Sequence, residues 1–445
     1  MRIRSKALLF CGLILSCAIG FLAYVALAPD RAPTLQAGSA IPPQHEDEYV
    51  ARAADCVACH SIPGGKAFAG GLKMGTPLGA IYSTNITPDP DTGIGTYSLG
   101  DFDRAVRRGT AKDGHRLYPA MPYPSYAKLT DMDVVALYRF FMKQVPPVHQ
   151  ENLKGEIPAL LGFRWPLAIW NYFLAPTGSY VAKPDHDAAW NRGAYVVQGA
   201  GHCGACHTPR GIGMQEKALD DSNPRFLAGT ELDAWFAPSL RGDMRTGLGT
   251  WSQKDTFEFL KFGHNRVGSA FGSMTEVINN STSYLSDTDI DAIAIYLKSL
   301  SAAFAQQAVT YDNQTTAALQ GTPTMNTGAS VYTAVCSSCH GFDAKGFARY
   351  MPAVAGNPVV LDHNSSSLIN VVLNGSIPLV AEGVPAAYRM PQFRQQLSDQ
   401  EIADVITFIR NGWGNQAPTV TAARVAELRQ KTDPTSDQVV VLNMR

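Results

Sequence analysis

The sequence predicts a mainly α-helical chain made of three tandem units. Two patterns predict it. A Cys-x-x-Cys-His signature occurs three times, with copies 147 and 133 residues apart. After each copy come a Met, a Leu-[Ser/Thr]-Asp helix-start signal and an apolar-periodic run. Self-similarity at such an interval means one structural unit repeated. The chain has 445 residues, 45% hydrophobic and 17% charged, enough apolar content for packed cores. Thirty-seven basic against 38 acidic residues leave no basic excess to point at nucleic acid.

The first segment, residues 1–28, reads as a signal peptide or a retained N-terminal anchor. Arg2, Arg4 and Lys6 precede an uncharged apolar run from Ala7 to Ala28, and Ala26-Leu27-Ala28 fits a small-residue cleavage site. The run is also long enough to span a bilayer, and a lipoprotein reading through Cys17 is weaker because Leu15 is bulky. All three readings export the body of the chain. Without residues 1–28 it carries 34 basic and 38 acidic residues, a formal charge of -4.

Cys11 and Cys17 lie in that segment, and the other six cysteines form the repeated motif. The copies are Cys56-Val-Ala-Cys59-His60, Cys203-Gly-Ala-Cys206-His207 and Cys336-Ser-Ser-Cys339-His340. This is the spacing of covalent c-type haem attachment. Both thiols add to haem vinyl groups, so one short turn must carry them on one side, and the next residue aims its imidazole at the iron. A zinc site would group such ligands in fours, and a redox Cys-x-x-Cys would lie in a βαβ setting without the His.

The first two units share more. Thr92-Gly-Ile-Gly-Thr-Tyr-Ser98 matches Thr246-Gly-Leu-Gly-Thr-Trp-Ser252, and a helical stretch ending in Gly109 or Gly263 follows each. The closing helices are Val134 to Phe140, Ile290 to Leu297 and Ile402 to Ile409. Thr130, Ser286 and Ser398 are expected caps, with Asp133, Asp291 and Glu401 in the first turns. The Met before each closing helix supplies a soft sixth ligand: Met121, Met274 and Met390, which are 61, 67 and 50 residues after their His. The ordinary fate of a Met is core filling, but all three stand at the same place in their units. His/Met ligation fills both axial positions, which suits electron transfer rather than binding of oxygen or peroxide. Each motif His should donate its second ring nitrogen to a carbonyl. Candidate acceptors lie in Thr84-Asn85-Ile86, Pro238-Ser239-Leu240 and Pro352-Ala353-Val354. His202, directly before Cys203, is a candidate haem-edge residue.

The expected architecture is therefore mainly α: three tandem cytochrome c domains, each with one covalently attached haem. They are assigned to residues 44–145, 185–301 and 327–414. A linker with an aromatic apolar segment occupies 146–184, a polar linker read as a surface strap occupies 302–326, and a C-terminal tail runs over 415–445. The tail has the pattern of one amphipathic helix at 419–431, with Val420, Ala423, Val425 and Leu428 on one side. In the first linker, Trp165, Trp170, Tyr172 and Phe173 are residue types found at membrane interfaces, though a connector packed on its neighbours fits them too. Three haems bring up to six propionates, and Arg210 is a first candidate to pair with one.

The sequence resembles the triheme cytochrome c subunit of membrane-bound, quinone-linked dehydrogenases of the alcohol, gluconate, fructose and aldehyde type. The matching segments are Tyr82-Ser-Thr-Asn-Ile-Thr-Pro-Asp89, Tyr118-Pro-Ala-Met-Pro-Tyr-Pro-Ser-Tyr126 and Gly201-His-Cys-Gly-Ala-Cys-His-Thr-Pro-Arg-Gly211, within a likeness covering about 45 to 415. The resemblance implies three haem c groups and an electron-transfer role on the periplasmic side of the cytoplasmic membrane, with ubiquinone as acceptor. It also implies a catalytic partner subunit holding a flavin, pyrroloquinoline quinone or molybdenum cofactor, and leaves room for a small third subunit. No Gly-x-Gly-x-x-Gly follows a strand pattern here, so substrate oxidation is expected in the partner. The competing readings are a free-standing periplasmic electron shuttle and a multihaem peroxidase, which would need one iron with an open or displaceable ligand.

Overall fold

A computed structural model of the chain describes residues 15–17, 20–25, 35 and 47–433, except 161, 233, 322–325, 348–349, 382–383 and 386–387. Most of the expected signal segment and the end of the tail lie outside the described residues. Those that are described are mainly helical, with three short two-stranded hairpins. Among them no helix is long and apolar enough to cross a membrane.

The same kinds of element recur three times, in one order in the first two groups and with the hairpin later in the third. An opening helix (Asp47–Ala53, Ala188–Gln198 or Thr327–Val331) leads into the short motif helix. A small hairpin follows directly in the first two, Lys73–Thr76 with Gly79–Tyr82 and Thr230–Leu232 with Trp235–Ala237, whereas in the third the hairpin Val380–Ala381 with Val384–Pro385 comes only after helices Pro358–Leu361 and Ser366–Asn374. Each group ends on a thirteen-residue helix: Asp131–Lys143, Asp287–Ser299 or Asp399–Asn411. The opening helix crosses the closing helix of its own group in all three. Close approach there depends on Gly193 and Gly328: a β-carbon would stand 2.0 Å from the Ala292 carbonyl oxygen and 2.3 Å from that of Asp404.

The expected caps form. Thr130, Ser286 and Ser398 accept from the backbone N–H three residues on, and Ser398 with Glu401 completes a reciprocal capping box. In the second group the partner at that position is Asp289, not Asp291, which accepts from Gln253. Leu99–Arg108 and Gln253–Phe262 also carry capping boxes and end on Gly109 and Gly263 with φ of 61° and 75°, the left-handed turn that favours glycine.

The first two groups share one continuous hydrophobic core, whereas the third has its own. Their junction is reciprocal. The Tyr49 hydroxyl donates to Asp289 (2.5 Å) and accepts from the Ser286 N–H (3.1 Å) at the start of the second closing helix. The Tyr195 hydroxyl donates to Asp133 and accepts from the Thr130 N–H (3.1 Å) at the start of the first. The two units thus face each other across an approximate two-fold relation.

The second linker is more than a surface strap, and the tail forms its expected helix with Ala423 alone off the buried side. In 302–326, helix Gln314–Gly321 packs on the third group: Thr316 is buried and Trp413 donates to Thr315 and Thr316. In the tail, Ala422–Lys431 forms the amphipathic helix, and its buried Val425 and Leu428 close over the third core while Ala423 faces solvent.

Candidate haem sites

The cysteine pairs lie on single turns, as attachment requires: Cys56–Cys59, the segment of Cys203 with Gly204–His207, and Ser337–His340 directly after Cys336. Entry to each turn uses uncommon backbone. Asp55 and His202, the residues before Cys56 and Cys203, have φ of 46° and 35°. Before the third motif the chain instead makes a π turn over Tyr332–Cys336. Left-handed non-glycine residues and π turns persist mostly where a side chain must be aimed. Burial pushes the Cys56, Cys203 and Cys336 thiols up to about 12, so unattached they would be neutral.

All three motif histidines donate through Nδ1 to a carbonyl, at the segments expected. His60 reaches Thr84 O (2.7 Å), His207 reaches Pro238 O (2.7 Å), and His340 reaches Pro352 O (2.9 Å). The first bond forms although Thr84 stands where the other two units have proline. Burial holds each imidazole below the usual histidine range, and the carbonyl pulls partly the other way. A neutral ring with Nδ1–H committed to a carbonyl leaves Nε2 as a lone-pair donor, the form a metal-bound histidine takes.

A set of residues unmarked in the sequence holds this arrangement. Gly70, Gly229 and Gly346 each donate their backbone N–H to the carbonyl of the motif His, at 2.8, 2.7 and 3.0 Å. All three have positive φ, 76°, 86° and 64°. Each lies against the segment that accepts from the imidazole: a β-carbon would stand 2.4 Å from Thr84 C, 3.0 Å from Ser239 N or 2.1 Å from Met351 O. They follow their His by 10, 22 and 6 residues, so no fixed spacing betrays them.

The second and third sites open into one apolar cavity of about 550 Å3. Cys203, Cys206, His207 and Met274 line it, and so do Cys336, Cys339, His340 and Met390. Met351 also lines it, next to Pro352, whose carbonyl accepts from His340. Met274 stands in the first turn of helix Ser273–Asn280 rather than on a loop. Met121, like Cys56, packs against the shared core, and it is held in the turn before Tyr123–Tyr126. Other methionines of the first two units, Met132, Met214 and Met244, are exposed.

The cavity suits a haem by its donors as well as its shape. Trp235 and Trp251 line it, and their indole N–H groups are buried without partners. Buried donors of this kind suit polar acceptors such as haem propionates. Arg210 donates to the Ala205 and Met214 carbonyls and lines a separate small cavity. His202 lines the large cavity, bonds to Ala200 O (2.9 Å) and stacks edge-on against Tyr126 of the first group at 5.5 Å. It therefore lies between the first two sites.

The aromatic segment forms helix Pro166–Leu174, with two faces. Trp170 donates to Gly213 O (2.7 Å), and Asn171 accepts from the Tyr123 hydroxyl (2.6 Å), which fastens one face to both groups. Trp165, Tyr172 and Phe173 stand exposed on the other. The Phe21 ring lies 5.7 Å from Tyr172.

Comparison with known proteins gives the family. The cytochrome c family model matches residues 191–301 and 325–413. The chain is 50% identical to the gluconate 2-dehydrogenase cytochrome c subunit of Pantoea cypripedii, over 94% of this chain and 95% of that one. It is 49% identical to the cytochrome c subunit of the quinone alcohol dehydrogenase of Gluconacetobacter polyoxogenes, over 87% and 84%. The fructose dehydrogenase cytochrome subunit of Gluconobacter japonicus is 38% identical, over 86% and 81%. The chain thus belongs to the family of cytochrome c subunits of gluconate, alcohol and fructose dehydrogenases, electron-transfer proteins that carry haem c.

Proposed function

We propose that the chain carries three haem c groups and passes electrons from a catalytic dehydrogenase subunit to ubiquinone, on the periplasmic side of the cytoplasmic membrane. The cysteine pairs Cys56/Cys59, Cys203/Cys206 and Cys336/Cys339 hold the haems by thioether bonds. The axial pairs are His60 with Met121, His207 with Met274, and His340 with Met390. Three domains, 44–145, 185–301 and 327–414, each supply one such set. The observation that carries this reading is the threefold repetition of one device: a buried imidazole bonded through Nδ1 to a carbonyl, braced by a glycine N–H.

The haem supplies one-electron exchange. The protein's own work is to fix each imidazole, exclude water and shorten the path between sites. Burial favours the uncharged state of the ligands, and soft thioether ligation raises the potential. The shared cavity of the second and third sites, and the His202–Tyr126 contact beside the second, support a continuous route through the chain.

The exposed aromatic face of helix Pro166–Leu174 supports contact with the membrane surface, since Trp and Tyr favour the lipid–water boundary. The partner is a dehydrogenase subunit with a flavin, pyrroloquinoline quinone or molybdenum cofactor. Purification from the native membrane tests the reading. A larger dehydrogenase subunit should accompany the chain, and substrate-dependent ubiquinone reduction should follow. Replacing Trp165, Tyr172 and Phe173 together by Ser should release the chain into the soluble fraction. A chain that purifies alone and reduces no quinone would favour a free shuttle instead.

A further inference from the structure

A second cavity, about 30 Å3 as it stands, lies between the first and second sites. Pro119 and Pro122, on either side of Met121, form one wall; Ala205, inside the second motif, forms another; Trp170 and Leu174 of the aromatic helix close it. Three polar residues also line it, and each has a buried atom without a partner: Arg210 Nε, Gln215 Oε1 and Glu216 Oε2. A buried polar atom left unpaired is costly. Three around one small space mark a place built to be completed by something else. A guanidinium that can donate beside a carboxyl that can give or take a proton suits a ligand with a carbonyl oxygen that becomes a hydroxyl. Burial lifts Glu216 to about 7, against the pull of Arg210 and Lys128, so proton exchange there falls in the neutral range.

The way in is apolar. The turn after Arg210 carries Ile212 fully exposed at its tip, with Met214 exposed beside it. That turn is tied to the aromatic helix by the Trp170–Gly213 bond. The exposed Trp165, Tyr172 and Phe173 and the Ile212 tip therefore form the outer side of the same structure whose inner side is the polar cavity.

We propose that this cavity is the head-group site of the membrane quinone, entered between the Gly211–Met214 turn and the aromatic helix. Arg210 holds one ring carbonyl and Glu216 delivers a proton to it. The proposal rests on the quinone reading given above. The closed space holds about one water, so the ring enters with the turn displaced and the Trp170–Gly213 bond broken. Two electrons reach the ring singly from the neighbouring haem sites, and two protons come from solvent, one of them through the Glu216 carboxyl. The two ring carbonyls become hydroxyls, and Glu216 is reprotonated from solvent.

Stopped-flow reoxidation tests it without the partner subunit. The haem-loaded full chain is reduced with dithionite, freed of excess reductant and mixed with ubiquinone-1 or with ferricyanide. The ratio of the two reoxidation rates should fall at least tenfold in Glu216→Gln and in Arg210→Leu. An unchanged ratio in both would overturn the site. Because these side chains lie near the second motif, photolabelling of the unaltered chain with an azido-quinone gives an independent reading. Labelled peptides should fall within 119–124, 166–174 or 205–219, and labelling elsewhere would overturn the proposal. If ubiquinone-1 fails to reoxidise the unaltered chain while ferricyanide succeeds, the quinone reading itself falls, and this site with it.

Discussion

Gly70→Ala is the sharpest probe of the device that fixes the imidazoles. At φ 76° a β-carbon strains the backbone by about 1–2 kcal/mol. That β-carbon would also stand 2.4 Å from Thr84 C and 2.6 Å from Thr84 O. Both are backbone atoms with no rotamer to yield, so overpacking adds about 1–3 kcal/mol. The sum is about 2–5 kcal/mol. The first two units share a core and should melt together, so at about 2–4 °C per kcal/mol the transition drops by roughly 4–20 °C. The displaced atom is the acceptor for His60, so the first haem should also report the change. A weaker Nδ1–H bond makes the imidazole a poorer donor, which stabilises the ferric state less and raises that site's potential. Guanidinium unfolding followed by Soret circular dichroism measures the first effect, and redox titration resolved by site measures the second. A variant within about 0.5 kcal/mol of the parent, with three unchanged potentials, would refute the reasoning, since that is the scatter of an ordinary surface substitution.

Further outcomes follow from other contacts. Tyr49→Phe and Tyr195→Phe each remove one charge-assisted bond and strand one backbone N–H, so each should destabilise by about 1–3 kcal/mol in denaturant melts. Gly204→Ala puts a β-carbon 2.3 Å from Glu216 Oε2. Haem staining on gels should show reduced attachment at the second motif, or a melt lowered by about 1–3 kcal/mol. Burial alone would raise Asp289, but bonds from Arg192 and Tyr49 hold it below the usual carboxylate range. Its contribution to stability is present above the unfolded value, about 3.9, and is lost as pH falls through the folded value. Asp289→Asn should therefore flatten the acid limb of stability against pH, read from melts between about pH 2 and 5.

The parts of the structure legible in the sequence are those set by local covalent or hydrogen-bond chemistry. Thioether attachment demands a fixed spacing, so all three motifs stand out. Caps depend on residues three apart, and Thr130, Ser286 and Ser398 were readable for that reason. The carbonyl acceptors of His60, His207 and His340 were legible because they sit at matching places in the repeat. What escaped depends on distant pairs. The core common to the first two units and the Tyr49–Asp289 and Tyr195–Asp133 exchange join residues 240 and 62 apart. Gly70, Gly229 and Gly346 act alike at unlike spacings. The turn at Gly211–Met214, which brings Arg210 onto the Ala205 carbonyl, has no marker in the sequence. Helix Gln314–Gly321 looked like a polar strap because its contacts are hydroxyls, Thr315 and Thr316, received by a distant Trp413.

The claim on which the rest depends is that this one chain holds three equivalent haem sites. Intact mass of the purified protein, with peptide mapping of the adducts, tests it directly. The account predicts three haem masses per chain, one on each of Cys56/Cys59, Cys203/Cys206 and Cys336/Cys339, with no free thiol among the six. Two adducts, or a third motif with free thiols, would contradict it.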